Sequence, residues 1–428
     1  MVSELINNAE IDVIDMLENT SPHAKDAFLK SSDMTKPPFQ YGKLDILKVN
    51  DNLSSLNEIR GLNEYQSLSS YNKLTADVLL DYYQKQNEFV AACYKYNHSD
   101  TNKRVYVAEE QRRANISLFG EPDKHVLLCL IHEKLEEIRS KELSSEEKEE
   151  FKILEELLSD LPLHVNEKIA FYPSEEILKR FSEMVNLFYD PFLKHIPSQD
   201  EYTTEECANI INTILAEELH DYMGDWKAIT ETNRLNAAVN HDECRIRFPA
   251  DKTYTPEKLK TIIVHELGVH VLRAMPFKDT GLKAFSFGFP GYEETEEGIA
   301  KIMEQGISGK FQKSGVIHYI SIGLAHLMKY DFRTVFEIQK RLQGLSSGTS
   351  EETCYNSVQR AFRGTGELSN NKDLVYFNGS LRVWRYISEN IDHPSLFDDL
   401  LLSAKTDFFD SFQRELVYEI KNGRKIVF

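Results

Sequence analysis

Between Thr255 and Ala300 the chain reads TPEKLKTIIVHELGVHVLRAMPF, then a loop, then ETEEGIA. His265, Glu266 and His270 fall on one predicted helix, and Glu297 follows at the head of the next. Two imidazoles and one carboxylate leave a fourth tetrahedral position on a zinc ion for water, which marks a catalytic rather than a closed structural site. Zinc brings the pKa of its water down toward ~7 and polarises a carbonyl. Glu266, beside the first histidine, is the candidate proton shuttle. The chemistry these residues offer is metal-assisted hydrolysis.

Their spacing demands a particular support. Histidines at i and i+4 share one face of a helix, but His265 and His270 stand at i and i+5. A regular α-helix sets such a pair about 140° apart, too far for one metal. A single π-turn brings i and i+5 back together, and Gly268, without a Cβ, eases that distortion. The zinc reading therefore predicts a helix defect near residues 266 to 270. The alternative is a buried, regular helix with two incidental histidines.

The elements around the motif are marked in the sequence. Thr255 is a predicted N-cap with Pro256 at the first helical position. Apolar residues from Leu259 to Leu272 recur at helical spacing, and Pro276 stops the run. Thr295 reads as the N-cap of the following helix, with Glu296 and Glu297 in its first turn, where they complement the helix dipole. Gly298 is a poor helix former, and close approach of this helix to the histidine helix would explain it. Ahead of the motif, Arg234 to Ala250 reads as a β-hairpin around the turn NHDE, with His241 exposed. A strand beside the metal would let a substrate pair its backbone in extended form.

HELGVH followed by TEEGIA resembles the H-E-x-x-x-H and (Q/E)-E-G-L-A pair of the tyrosine carboxypeptidase family. That family includes microtubule-associated tyrosine carboxypeptidases and bacterial QEGLA-motif proteins. Similar pieces are PPFQY at 37–41, LFGEP at 118–122, RAFRG at 360–364 and KDLVYFNG at 372–379, so the resemblance runs from about Pro37 to Tyr386. Glu296, Ile299 and Pro276 depart from the family's Gln, Leu and Asn. The resemblance implies that His265, His270 and Glu297 hold Zn2+ and that Glu266 is the general base. It implies a zincin-like, mostly helical α+β fold with a hairpin or small sheet before the metal helix. It also implies a carboxypeptidase acting on a peptide or protein C-terminus, with tyrosine or another aromatic residue removed. An endopeptidase or other amide hydrolase, and a non-enzymatic zinc-containing regulator, are the alternatives.

A carboxypeptidase must hold a terminal carboxylate, and the planar fork of arginine does this with two parallel hydrogen bonds. Arg360 and Arg363 form a basic, turn-rich patch with Gly364 and Gly366. Tyr376 would add a hydroxyl to the developing oxyanion, and Lys372 is a further candidate. An internal salt bridge is the competing reading of the arginines. Three other sets read as ordinary helix residues: the cluster Glu217, Glu218, His220 and Asp221, and the separate histidines His318 and His326.

The rest of the chain bounds these readings. Residues 1–165 read as a helical region and 166–428 as the catalytic domain, with Glu- and Lys-rich 144–161 as a solvated helix before the seam. Pro37 and Pro38 keep the stretch 32–45 extended, a strap over a core or a cleft wall. A formal net charge of −19 disfavours nucleic acid and anionic membrane as partners and repels an acidic tail such as that of tubulin. Five widely spaced cysteines fit a reduced, cytoplasmic protein. No apolar run approaches ~18 residues.

Overall fold

The structure, a computed structural model, describes residues 2–163, 173–219, 226–232, 237–241, 243–275, 282–424 and 426. The expected seam near residue 165, and the sequence readings placed on His220, Asp221, Arg234 and Pro276, lie outside them. The described chain is mostly helical with small sheets, an α+β protein. It divides into two compact units, Met1–Ala170 with Gly315–Phe377, and Phe171–Ser314 with Asn378–Val427. The chain thus leaves the second unit at Ser314 and returns to it at Asn378.

In the first unit, sequence punctuation sets the helix ends. Ser144 caps Ser145–Leu157, and Ser144 and Glu147 satisfy each other's backbone N–H groups in a capping box. Gly120, at φ +80°, closes Arg104–Phe119, and Asp123 caps Lys124–Arg139. Phe28, Phe332, Phe336 and Tyr355 pack ring on ring, and Phe39 of the extended strap lies 5.7 Å from Phe332. The strap therefore covers a core. It also borders a cavity of about 600 Å³ lined in part by Tyr94, His98 and Arg104.

The second unit holds the histidine motif. Strands β1 (Tyr202–Thr203), β2 (Lys227–Glu231), β3 (Ala238–Asn240), β4 (Arg245–Pro249) and β5 (Thr253–Tyr254) form two small sheets. The predicted hairpin is β3 and β4, antiparallel, with Val239 opposite Ile246. Unforeseen in the sequence, β2 adds to β4 in parallel, giving the order β2-β4-β3. β5 pairs with β1 and delivers the chain to Thr255. Ile246 and Phe248 of β4 are fully buried with Leu259, Ile263, Leu267 and Val271 of the histidine helix, so sheet and helix share one core. The helix Glu175–Leu193 packs on the histidine helix and on Tyr292–Ser308.

Candidate metal centre

Thr255 accepts a hydrogen bond from the Lys258 N–H at 3.3 Å, and Pro256 opens the helix, as the sequence predicts. Pro256–Ile262 is α-helical, Ile263–Val271 is π-helical, and Leu272–Ala274 returns to α geometry. The defect needed to bring histidines five apart together is present, and it spans the whole motif rather than a single turn. As a result the rings of His265 and His270 meet edge to face with centroids 4.8 Å apart. One ligand atom from each of His265, Glu266 and His270 lies within 4.8 Å of the others.

Gly268 has a role beyond easing the helix. A Cβ there would lie 2.5 Å from Cε1 of Tyr189, whose hydroxyl donates to the Gly268 carbonyl at 2.9 Å. Tyr189 is fully buried. The missing side chain lets a phenol from the neighbouring helix approach and satisfy a backbone carbonyl inside the π segment.

Both imidazoles are oriented from behind. His265 Nδ1 donates to Glu304 Oε1 at 2.5 Å, and His270 Nδ1 donates to Glu296 Oε1 at 2.6 Å. A carboxylate at Nδ1 fixes the tautomer and leaves the Nε2 lone pair for a ligand. Each carboxylate is itself braced. Lys301 donates to Glu304 at 2.9 Å, while Lys405 and Arg273 donate to Glu296 at 2.7 and 3.3 Å. Arg273, fully buried, also donates to the Leu400 and Thr406 carbonyls and to the Ser403 hydroxyl. The tail loop is thereby tied to the histidine helix.

These contacts set the charges. Burial opposes ionisation of Glu296, yet Lys405, His270 and Arg273 hold its carboxyl well below the usual range. Burial likewise opposes ionisation of Glu304, but His265 and Lys301 bring it down to about 2. Glu266 goes the other way: desolvation pushes it up to about 7, with His265 opposing and Glu297 adding to the rise. The site thus holds two fixed anions behind the histidines and one carboxyl near neutrality in front, the pattern of a proton carrier at pH 7.

The structure alters the expectations for the second helix. It begins at Tyr292, after Gly291, so Thr295 is not its N-cap. Glu293 and Glu294 occupy the first turn, and Glu296 and Glu297 the second. Thr295 is buried and donates to Asp407 at 2.9 Å. Glu296 serves His270 rather than the helix dipole. Glu297 stands close enough to act on Glu266, outside the set of three ligand atoms within 4.8 Å. The close approach at Gly298 is to Gly379 and not to the histidine helix: a Cβ on Gly298 would lie 2.5 Å from the Gly379 carbonyl.

The predicted substrate-binding residues form a cluster of their own in the first unit. Arg360 grips Asp373 with two hydrogen bonds, Nε to Oδ2 at 2.5 Å and Nη2 to Oδ1 at 2.9 Å, and also donates to the Tyr376 hydroxyl at 3.0 Å. Lys372 lies over the Tyr376 ring. Asp373, buried, is held well below its usual range by Arg360, Arg363 and His318 despite the burial. The fork offered to a substrate carboxylate is therefore engaged by an internal one. His318 and His326 are helix residues bonded to the Ser357 and Ser369 hydroxyls.

His241 differs from its expectation. It is only half-buried overall, but its Nδ1 is shut off from solvent with no hydrogen-bond partner among the described residues. Its ring meets the Trp226 ring edge to face at 5.6 Å. Burial, then the charge of Lys405, depress its pKa well below the usual value, with Glu296 opposing. Away from the motif, His195 bonds Glu218 at 2.8 Å with Glu217 nearby, but Lys194 already neutralises Glu218.

A family model described as microtubule-associated tyrosine carboxypeptidase matches residues 174–412, more than half of the chain. The match begins after PPFQY and LFGEP, so those pieces lie outside it, and it continues past Tyr386 to include the loop with Lys405. No curated protein and no solved structure matches the chain.

Proposed function

The chain belongs to the microtubule-associated tyrosine carboxypeptidase family, and we propose that it is a zinc-dependent carboxypeptidase removing a C-terminal residue, tyrosine or another aromatic, from a peptide or protein. The observation that carries this reading is the convergence of His265 and His270 through the π segment, each with Nδ1 already tied to a carboxylate. The donor types fit zinc: two imidazoles brought together on one segment, with carboxylates beside them.

His265, His270 and Glu297 would hold the ion. When bound, zinc supplies Lewis acidity, lowering the pKa of water and polarising a carbonyl. Glu266 takes a proton from the attacking water and returns it to the leaving amine, a task suited to a carboxyl set beside both histidines. Glu296 and Glu304 hold each Nδ1–H and so turn both Nε2 atoms forward. The small sheet leading into the metal helix supports a zincin-like description, and β3, at the edge of its sheet, is available to an extended peptide.

The substrate is not carried over from the family name. A net charge of −19 repels acidic tails at long range. Five free thiols support a cytoplasmic setting, and no helix among the described residues is long and apolar enough to cross a membrane.

A second reading, an endopeptidase or other amide hydrolase, is favoured by the engagement of Arg360 with Asp373. Peptides ending in Tyr, Phe, Ala or a C-terminal amide, incubated with zinc-loaded protein and resolved by mass, separate the readings. Loss of one terminal residue, blocked by amidation, supports the carboxypeptidase. Internal cuts establish the endopeptidase. Full zinc occupancy without any cleavage defeats both.

A further inference from the structure

We infer that His241 is a substrate-contacting residue on the strand side of the metal centre, its buried Nδ1 donating a hydrogen bond to an oxygen of the bound peptide. The inference rests on the peptidase reading above and assigns a new residue to that site.

Three observations lead to it. The Nδ1 of His241 is buried without a partner among the described residues, and leaving a buried polar atom unpaired is costly. Such an orphan calls for an explanation, and a partner that arrives with the ligand supplies one. The position is the second. His241 follows directly on β3, which packs against the π segment, and it lies within electrostatic reach of His270, Glu296 and Lys405. An extended peptide on the open edge of β3 would pass this ring. The third is the sign of its surroundings. A cation, Lys405, is the strongest charge acting on the ring, so the space favours an incoming oxygen over an N–H group. Nδ1 must then be the donor. Trp226, packed against the ring, limits its rotation and so reduces the entropy lost when the bond forms.

The test uses full-length, zinc-loaded protein and a peptide ending in tyrosine. His241→Phe keeps a ring against Trp226 and removes both nitrogens. His241→Asn places an amide nitrogen close to the Nδ1 position. We expect kcat/KM to fall about tenfold or more in the Phe variant, the loss of roughly one hydrogen bond, with zinc content unchanged. Its thermal midpoint should stay level or rise, because an unpaired buried polar atom has gone. The Asn variant should recover most of the loss. A Phe variant within twofold of the parent overturns the inference while leaving the peptidase intact. A lowered midpoint or lost zinc in both variants also overturns it, since it marks a structural histidine. An inactive parent protein overturns the peptidase reading and this inference with it.

Discussion

Glu304 reaches across from one helix to the imidazole of His265 on another, Oε1 to Nδ1 at 2.5 Å, and Lys301 clamps it from the side at 2.9 Å. The carboxylate is fixed before any metal arrives. Glu304→Ala should therefore weaken zinc affinity by roughly 10- to 100-fold, and Glu304→Gln, which keeps an acceptor oxygen, by less. Competition with a chromophoric chelator reads this out. Equal affinities in all three proteins would show that the histidine needs no such partner.

Glu266→Gln should retain stoichiometric zinc and lose peptidase activity by about 10²–10⁴-fold, the usual share of a general base. Residual activity above a tenth of the parent value would move the proton carrier elsewhere, with Glu297 the first residue to examine.

The same carboxyl gives a pH signature in metal-free protein. Its folded pKa of about 7 stands above the ordinary value of 4.5, so the folded state binds the extra proton. The associated stability is fully present below pH 4.5 and is lost as the pH rises through about 7. The parent should lose stability relative to Glu266→Gln across that window, by on the order of 3 kcal/mol at most. Zinc, a nearby positive charge, should flatten the difference. Parallel melting curves at pH 4.5 and 8 would contradict the assignment.

Gly298→Ala tests the helix crossing. Alanine gains about 1 kcal/mol of helix propensity over glycine, but its Cβ would sit 2.5 Å from backbone atoms of Gly379, and backbone cannot swing aside. Overpacking of about 1–3 kcal/mol should win. Gly379→Ala should be worse, with its Cβ 1.9 Å from the Glu294 carbonyl oxygen. Thermal midpoints settle the order, and a stabilised Gly298→Ala would refute the crossing.

Tyr189→Phe removes only the hydroxyl that meets the Gly268 carbonyl, and should cost about 1–2 kcal/mol by denaturant titration. Gly268→Ala pushes a methyl group into the same ring and should cost more. The double variant should cost less than the sum, because both changes act on one contact.

What could be read in the sequence was what depends on neighbours along the chain. His265 and His270 announced both their chemistry and, through a spacing unsuited to an α-helix, the π segment that reconciles them. Thr255 and Pro256 marked the helix start for the same local reason. The braces could not be read. Lys405 meets Glu296 from 109 residues away and Arg273 meets Leu400 from 127, and no spacing rule connects such pairs. Among five polar residues in EETEE, nothing local distinguishes the glutamate that serves a histidine from those that flank a helix end. Thr295 has the residue type of a cap, whereas its hydroxyl is claimed by Asp407. β2 was missed because five residues with a half-buried pattern acquire strand character only by pairing with β4. The Arg360 fork was chemically suited to a carboxylate, and it found Asp373, 13 positions on.

The π segment also has a meaning in the arithmetic of insertions and deletions. A widened turn accommodates one surplus residue while the flanking helix keeps its direction. Excising Leu267 would turn HELGVH into HEGVH, the H-E-x-x-H pattern whose histidines share a face of an ordinary α-helix. One codon thus separates two ways of presenting the same pair of rings. Both keep the glycine, and in the longer one Tyr189 holds its carbonyl, so the neighbouring helix is attached at the very turn in which the two forms differ.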